Sequence, residues 1–252
     1  MIEIERVSKA YGTAKVLDDV SLSVPAGGLT AIIGPNGAGK STLLSIAVRL
    51  LRPDRGRVRV DGLDVLATPG DVLARRLALL RQSNHITPRL TVEELVGFGR
   101  FPHSRGRPTA HDLEQVGRAI AYVDMADMAR RFLDELSGGQ RQRAFIAMVL
   151  AQDPDCLLLD EPLNNLDMRH AAATMGLLRR AADELGKTVV VVIHDINFAS
   201  CHADRIVAMK AGRVVVDGPP REVMQDDVLR EIYDMEIRVR EVDGDRLAAH
   251  YR

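Results

Sequence analysis

The first sixty residues alternate apolar and polar side chains in short runs that predict β-strands. Residues 2–7 and 16–24 have the strand period of two, whereas residues 29–33 are continuously apolar, as in a strand buried on both faces. Residues 41–51 have helical character, and residues 58–62 end in Asp-Gly, which is typical of a hairpin turn. This part of the chain predicts an antiparallel β layer together with a strand–loop–helix unit.

The pattern becomes helical in the middle of the chain and then returns to alternating strands and helices. Residues 91–151 have mainly helical spacing and begin with a capping-box sequence, although residues 97–108 are rich in Gly, Pro and Arg and predict an irregular loop. Residues 157–159 and 188–193 are apolar runs of the kind found in parallel strands. We therefore expect an α/β fold with a mostly parallel sheet, an antiparallel β layer at the N-terminal side and an inserted helical subdomain.

We expect one domain over residues 1–252. Within it, residues 1–85 and 152–252 are predicted to form the catalytic α/β core with its antiparallel layer, and residues 86–151 the helical subdomain.

Composition and charge exclude several classes of protein. The 252 residues are 46% hydrophobic and 27% charged, so the chain is neither disordered nor collagen-like. A net charge of -1 gives no overall attraction to nucleic acid, and we expect no nucleic-acid partner. The longest apolar run, residues 144–151, is far shorter than the about 20 residues that a membrane span needs. We expect a cytosolic protein that reaches a membrane only through a partner.

The turn after residues 29–33 has the sequence of a phosphate-binding loop. It matches G-x-x-x-x-G-K-[ST] in Gly34-Pro35-Asn36-Gly37-Ala38-Gly39-Lys40-Ser41, between a predicted strand and a predicted helix. Glycines let backbone N–H groups turn inward around a phosphate, and the start of a helix adds positive dipole. Lys40 would reach the β- and γ-phosphate oxygens and Ser41 would ligate Mg²⁺. The core is therefore predicted to be that of a P-loop ATPase.

Two carboxylates follow the predicted strand at residues 157–159. Asp160 and Glu161 stand at its carboxyl end, the edge at which ligands bind in α/β sheets. Asp160 is predicted to hold Mg²⁺, and Glu161 to act as general base on the attacking water. The structural alternative is a turn that caps the next helix.

A third motif names a family. Ser137 and Gln140 form a capping-box pair around two glycines, which predicts a helix N-terminus open to an anion. Together, Leu136-Ser137-Gly138-Gly139-Gln140, the phosphate loop and the acidic strand end resemble the nucleotide-binding subunit of ATP-binding cassette (ABC) transporters. The resemblance covers about residues 2–240, and the motifs occur in the family's order.

This resemblance assigns roles to further residues. It implies that Glu161 and His194 are catalytic and that Mg²⁺ is held by Ser41, Gln82 and Asp160. The implied contacts to ATP within one chain are made by Tyr11, Gly34, Pro35, Asn36, Gly37, Ala38, Gly39, Lys40, Ser41 and Thr42. The implied contacts to the ATP of a second copy are made by Ser137, Gly138, Gly139, Gln140 and Asp167. Taken alone, Tyr11 and His194 would more simply be packing or capping residues.

The family also implies a mechanism and partners. Two copies would form an ATP-bound homodimer, whose closure and later hydrolysis drive integral membrane permease subunits, with a substrate-binding protein as an indirect partner. The implied location is the cytoplasmic face of the inner (plasma) membrane, with peripheral attachment through the permease.

Two segments resemble one branch of the family, the ferric-siderophore importers. They are residues 90–103 and residues 162–170, where Asn164-Asn165-Leu166-Asp167 replaces the serine-containing D-loop of most cassettes. The alternatives are a cassette for haem, cobalamin or another metal chelate, or an ABC-type ATPase without a transport role. The basic residues Arg100, His103, Arg105 and Arg107 either contact an acidic permease loop or, as we expect, form a solvated surface turn.

Overall fold

The structure, a computed structural model, describes residues 1–82 and 86–249. Strands and helices follow one another along these residues. The strands are β1 (Ile2–Tyr11), β2 (Ala14–Val24), β3 (Leu29–Ile33), β4 (Arg55–Val60), β5 (Leu63–Asp64), β6 (Leu77–Leu80), β7 (Cys156–Asp160), β8 (Thr188–Val192), β9 (Arg205–Lys210), β10 (Arg213–Gly218), β11 (Arg238–Val242) and β12 (Asp245–Ala249). The α-helices are α1 (Lys40–Ala47), α2 (Gly70–Ala74), α3 (Val92–Phe98), α4 (Phe101–Ser104), α5 (Ala110–Tyr122), α6 (Gly138–Ala151), α7 (Met168–Leu185), α8 (Ile196–His202), α9 (Pro220–Val223) and α10 (Asp226–Tyr233).

The chain divides into two compact units. One consists of Met1–Thr68 and Leu178–Arg252, and the other of Pro69–Leu177. The subdomain boundaries that the sequence predicts, at residues 85/86 and 151/152, differ from the divisions between these two units. They stay a prediction.

The first unit contains the expected antiparallel layer and most of the parallel strands. β1 pairs antiparallel with both β2 and β4, and β4 turns into β5. In a separate sheet, β3 lies between β8 and β9 and is parallel to both, with β10 antiparallel at the edge. All five residues of β3 and of β8 are buried, which explains their continuous apolar sequence.

A C-terminal hairpin completes the first unit. β11 and β12 pair antiparallel, and β12 lies against α8. The Asn197 side chain receives a hydrogen bond from the Ala248 N–H at 2.7 Å and donates one to the Ala248 carbonyl at 3.2 Å. The hairpin is therefore attached to the helix that begins just after β8.

The second unit combines a parallel strand pair with helices. β6 and β7 are parallel neighbours, and α3 to α6 come between them in the chain, so the predicted helical insertion is confirmed. Threonine or serine caps start its three longer helices: Thr91, Thr109 and Ser137 each form a complete capping box.

The basic loop differs from its prediction. Residues 97–108 were expected to be irregular, but α4 occupies part of them, with Pro102 in the first turn, where its missing N–H costs nothing. Arg100 is only 4% exposed, and its side chain donates to Asp112 at 3.0 Å and to the Ala151 carbonyl at 2.8 Å. His103 contacts the Gln152 carbonyl at 2.9 Å. The expectation of a solvated turn is wrong for these two residues, which anchor the loop.

Asp112 serves two structural purposes at once. The Thr109 N–H and hydroxyl donate to its carboxylate at 2.9 and 2.8 Å, which caps α5, and Arg100 donates to the other oxygen. These hydrogen bonds, with the Thr109 backbone the largest contributor, lower the pKa of Asp112 from 3.8 to about 2. The carboxylate is thus held in its charged form inside the unit.

Candidate nucleotide-binding and catalytic site

The phosphate-binding loop links β3 to α1 in the first unit, and its backbone depends on glycine. Gly34 has a φ of 138°, and a Cβ there would lie 3.0 Å from the Met209 carbonyl carbon. Gly39, the N-cap of α1, has a φ of 98°, and a Cβ would lie 2.7 Å from the Val16 carbonyl oxygen. Both positions require a left-handed backbone and leave no room for a side chain. The loop thus curves back onto the start of the helix.

Lys40 lies inside this curve. Its side chain donates from Nζ to the carbonyl oxygens of Gly34 at 2.8 Å and Pro35 at 3.0 Å, and the residue is 5% exposed. Asn36 and Gly37, at the tip of the loop, are exposed. A buried ammonium below an exposed, glycine-rich tip at a helix N-terminus fits an anion of the size of a phosphate group.

The register of the sheet puts the phosphate loop and His194 at the same edge. Ile32 of β3 and Val192 of β8 are paired in parallel strands. Gly34 comes two residues after Ile32, and His194 comes two residues after Val192. His194 is exposed, and the next residue, Asp195, caps α8 by accepting hydrogen bonds from the backbone of Asn197 and Phe198.

Tyr11 ends β1 and is 53% exposed. The Lys9 ammonium lies 5.9 Å from the centre of its ring. A ring exposed to this extent is accessible to a planar base that could stack on it.

The same strand-end geometry recurs in the second unit. Leu80 of β6 pairs with Leu159 of β7, and Gln82 and Glu161 each follow two residues later. Their side chains meet there: Gln82 Nε2 donates to Glu161 Oε2 at 2.7 Å. Glu161 itself has a left-handed backbone with a φ of 50°, an uncommon conformation for a side chain of this size. Asp160, the last residue of β7, precedes it directly.

Sequence reasoning missed a second donor to Glu161. Asn164 Nδ2 donates a hydrogen bond to the same Oε2 atom as Gln82 does. In the sequence, the asparagines of this D-loop indicate only a likeness to one branch of the family. Its amide reaches the carboxylate because the tight turn after β7, with Asn164 N–H bonded to the Glu161 carbonyl, brings the two side chains together.

The third motif, residues 136–140, is called the signature segment, and it begins α6 as its sequence predicts. The Ser137 hydroxyl accepts from the Gln140 N–H at 3.3 Å, and Gln140 Oε1 accepts from the Ser137 N–H at 3.0 Å. Ser137 and Gly138 are exposed, whereas Gly139 is buried.

Asp167 precedes α7 and acts as its cap. Its Oδ1 accepts hydrogen bonds from the His170 N–H at 2.8 Å and from His170 Nδ1 at 2.7 Å. These bonds lower the pKa of Asp167, and the backbone N–H of His170 contributes most to that shift. The implied contact of Asp167 with a second copy's nucleotide stays a prediction.

The predicted Mg²⁺ ligands offer one hydroxyl, one amide and one carboxylate. All three are hard oxygen donors of the kind Mg²⁺ prefers alongside phosphate and water. In the described part of the chain, no three His, Cys, Asp or Glu side chains form a cluster that could hold a metal ion. The hydroxyl, amide and carboxylate donors are compatible with a magnesium ion that arrives with a nucleotide, and its ligands stay a prediction.

Comparison with known proteins agrees with this geometry. The ABC transporter family model matches residues 17–164. The petrobactin import ATP-binding protein YclP of Bacillus subtilis (strain 168) is 51% identical over 100% of both chains, and FatE of Bacillus anthracis, with the same description, is 47% identical over 95% of this chain and 96% of its own. The dimeric structure of MJ0796, a bacterial ABC transporter cassette, is 32% identical, with a TM-score of 0.78 over 88% of this chain and 99% of that one.

The chain belongs to the ABC transporter family. The expectations of a P-loop fold, of an ATPase coupled to transport and of a likeness to the siderophore-import branch are confirmed by these relatives. Among residues 1–82 and 86–249, none of the helices combines the length and the apolar character of a membrane span. The roles of individual site residues stay predictions.

Proposed function

We propose that this chain is the ATP-hydrolysing subunit of a ferric-siderophore importer. The assignment of the cargo rests on the sequence identity of 51% with a petrobactin import protein along the whole of both chains. A cassette does not normally touch the cargo, so only common descent connects this sequence with what is carried. Siderophore import is therefore preferred to haem, cobalamin or another chelate, which remain outcomes of the test below.

The nucleotide is proposed to bind in the first unit. The backbone of residues 34–42 would surround the phosphates, Lys40 would turn its ammonium from the Gly34 and Pro35 carbonyls to the phosphate oxygens, and Tyr11 would stack on the adenine. Ser41, Gln82 and Asp160 would hold Mg²⁺, which neutralises the charge that develops on the phosphates during transfer.

Hydrolysis is proposed to use Glu161 and His194. Glu161 would accept a proton from the attacking water, and its carboxylate is oriented by the amides of Gln82 and Asn164. His194 would donate to the γ-phosphate from the end of β8, where its exposure leaves the ring accessible to a ligand.

The active form is proposed to be a homodimer that closes on ATP. Ser137, Gly138, Gly139 and Gln140 would contact the second copy's nucleotide through the N-terminal turn of α6, an anion-binding feature.

Permease subunits are proposed to dock on the second unit. An apolar groove of about 820 Å³ is lined there by Phe98, Phe101, Leu113 and Val116, and the first three side chains are more than half exposed. Exposed aromatic and aliphatic groups around a concavity are typical of a surface that receives a partner helix. The chain would thereby be attached peripherally at the cytoplasmic face of the membrane, and a substrate-binding protein would be an indirect partner.

Uptake of labelled ferric siderophore in cells depleted of this protein tests the cargo. Haem and cobalamin uptake serve as parallel controls, and the parent chain and Glu161→Gln are returned separately. We expect selective loss of siderophore uptake that the parent restores and Glu161→Gln does not. Normal siderophore uptake with loss of haem or cobalamin uptake would assign the other cargo and overturn the proposal.

A further inference from the structure

The signature segment of this chain contacts the first turn of α7, which follows the D-loop, at one side chain. His170 lies in the first turn of α7, and its imidazole ring packs against Gly139 in the first turn of α6. Both helices begin in the same compact unit, so this contact is made within one copy of the chain.

The ring of His170 is held in one orientation. Asp167 Oδ1 accepts from both the backbone N–H and Nδ1 of His170, at 2.8 and 2.7 Å. A carboxylate can only accept, so Nδ1 carries a hydrogen in this arrangement. The helix cap fixes the backbone and the second bond fixes the ring, and the lowered pKa of Asp167 is consistent with a charged acceptor.

The two glycines of the signature segment differ in what surrounds them. A Cβ added to Gly138 would have no atom within 4 Å, whereas a Cβ on Gly139 would lie 2.5 Å from His170 Cγ and 2.9 Å from His170 Nε2. Neither glycine has the left-handed backbone that would itself demand glycine. His170 is therefore a sufficient reason for the missing side chain at Gly139, independent of any phosphate.

We infer that His170 is a positioning residue that supports the N-terminal turn of α6 from the first turn of α7. The ring fills the space beside Gly139 and so sets where the N–H groups of that turn point. This inference rests on the proposed function, because the turn matters only if it meets the second copy's nucleotide. Through Asp167, a movement of the D-loop would be passed to the signature segment of the same copy.

A double-mutant cycle on the full-length chain tests the contact. The variants are Gly139→Ala, His170→Ala and the two combined, with the exposed neighbour Arg169→Ala as a matched control. Steady-state ATPase assays give kcat and the KM for ATP, and gel filtration measures ATP-driven dimerisation in the Glu161→Gln background.

We expect His170→Ala to lower kcat with little change in the KM for ATP, because the loop around Lys40 is untouched. Gly139→Ala should lower kcat by at least about tenfold, since misplacing a reacting constellation by ~1 Å costs up to about a hundredfold. In the His170→Ala background the same glycine substitution should cost less than about threefold, because the clash is gone. Dimerisation should follow kcat, and Arg169→Ala should match the parent.

If Gly139→Ala lowers kcat by the same factor in the parent and in the His170→Ala background, the inference is overturned, since the glycine would then be needed for another reason. A kcat unchanged by His170→Ala would overturn it as well. If His170→Ala does not fold, His170→Ser provides the second background, because serine also lacks the Cγ atom. The proposed function fails separately, when Lys40→Ala and the parent bind and hydrolyse ATP equally well.

Discussion

The buried pair of Arg100 and Asp112 makes the stability of the second unit sensitive to a single charge. Arg100→Ala would remove the 3.0 Å bond to Asp112 and the 2.8 Å bond to the Ala151 carbonyl, leaving a carboxylate and a carbonyl buried. Breaking a buried ion pair by removing one partner costs about 3–5 kcal/mol. Asp112 keeps its two bonds from Thr109, so we expect the lower end of that range, about 3 kcal/mol.

The same loop provides a matched control. Arg105 pairs with Asp71 at 3.1 Å, but the two side chains are 76% and 44% exposed. An exposed pair contributes only about 0–1 kcal/mol, so Arg105→Ala should change stability little. Urea denaturation followed by circular dichroism measures both variants. The expected loss for Arg100→Ala corresponds to a fall in Tm of roughly 6–12 °C for a chain of this size.

Two further measurements separate the ion pair from simple loss of packing. The double variant Arg100→Met with Asp112→Asn should be more stable than the sum of the single changes predicts, by more than about 1 kcal/mol.

The folded-state pKa of Asp112, about 2, lies below its ordinary 3.8. Its contribution is therefore complete above pH 3.8 and is lost as the pH falls from 3.8 towards 2, an effect of about 2 kcal/mol. A cost below about 1 kcal/mol for Arg100→Ala, or strict additivity, would refute the reasoning.

The remaining predictions concern the catalytic site. Lys40→Ala should weaken ATP binding by about 10- to 100-fold through loss of a charge-assisted contact, measured by titration calorimetry, and unchanged affinity contradicts the role. Glu161→Gln should bind ATP, cease turnover and accumulate as a dimer in gel filtration; hydrolysis at the parent rate would exclude Glu161 as the general base. Asn164→Ala should lower kcat several-fold at constant KM, because Glu161 loses the hydrogen bond from the Asn164 amide, and a normal kcat would show that this bond is not needed. Tyr11→Ala should weaken ATP binding by about fivefold while Tyr11→Phe should not, and equal losses would exclude stacking.

Much of the site could be predicted from the sequence because its residues lie at strand ends. A continuous apolar run predicts a buried parallel strand, and the residue that follows it is then placed at one edge of the sheet. Asp160 and Glu161 are assigned in this way, whereas Lys40 follows from the phosphate-loop motif and His194 from the family resemblance. The structure has Glu161 directly after β7 and His194 two residues after β8.

What the sequence could not predict depends on contacts between distant residues. Arg100 stands in a segment rich in Gly, Pro and Arg, and only the approach of Asp112 and the end of α6 makes it a buried residue. The helix after the phosphate loop was expected to reach residue 51, but α1 ends at Ala47, because Arg49 adopts a left-handed φ of 60° and bonds to the Thr68 carbonyl at 2.6 Å. His170 matches no chemical motif in the sequence, and its role follows only from the position of its ring beside Gly139.

The parallel register sets a counting rule for insertions and deletions. Four of the proposed site residues stand two positions after a paired one: Gly34 after Ile32, His194 after Val192, Gln82 after Leu80 and Glu161 after Leu159. Side chains alternate between faces along a strand, so one residue added to β8 would turn His194 to the opposite side. The exposed turn between α7 and β8 pairs no residue with the sheet and tolerates such changes. We therefore expect chain length to vary more freely in the turn before β8 than between the paired residues of β8 and His194.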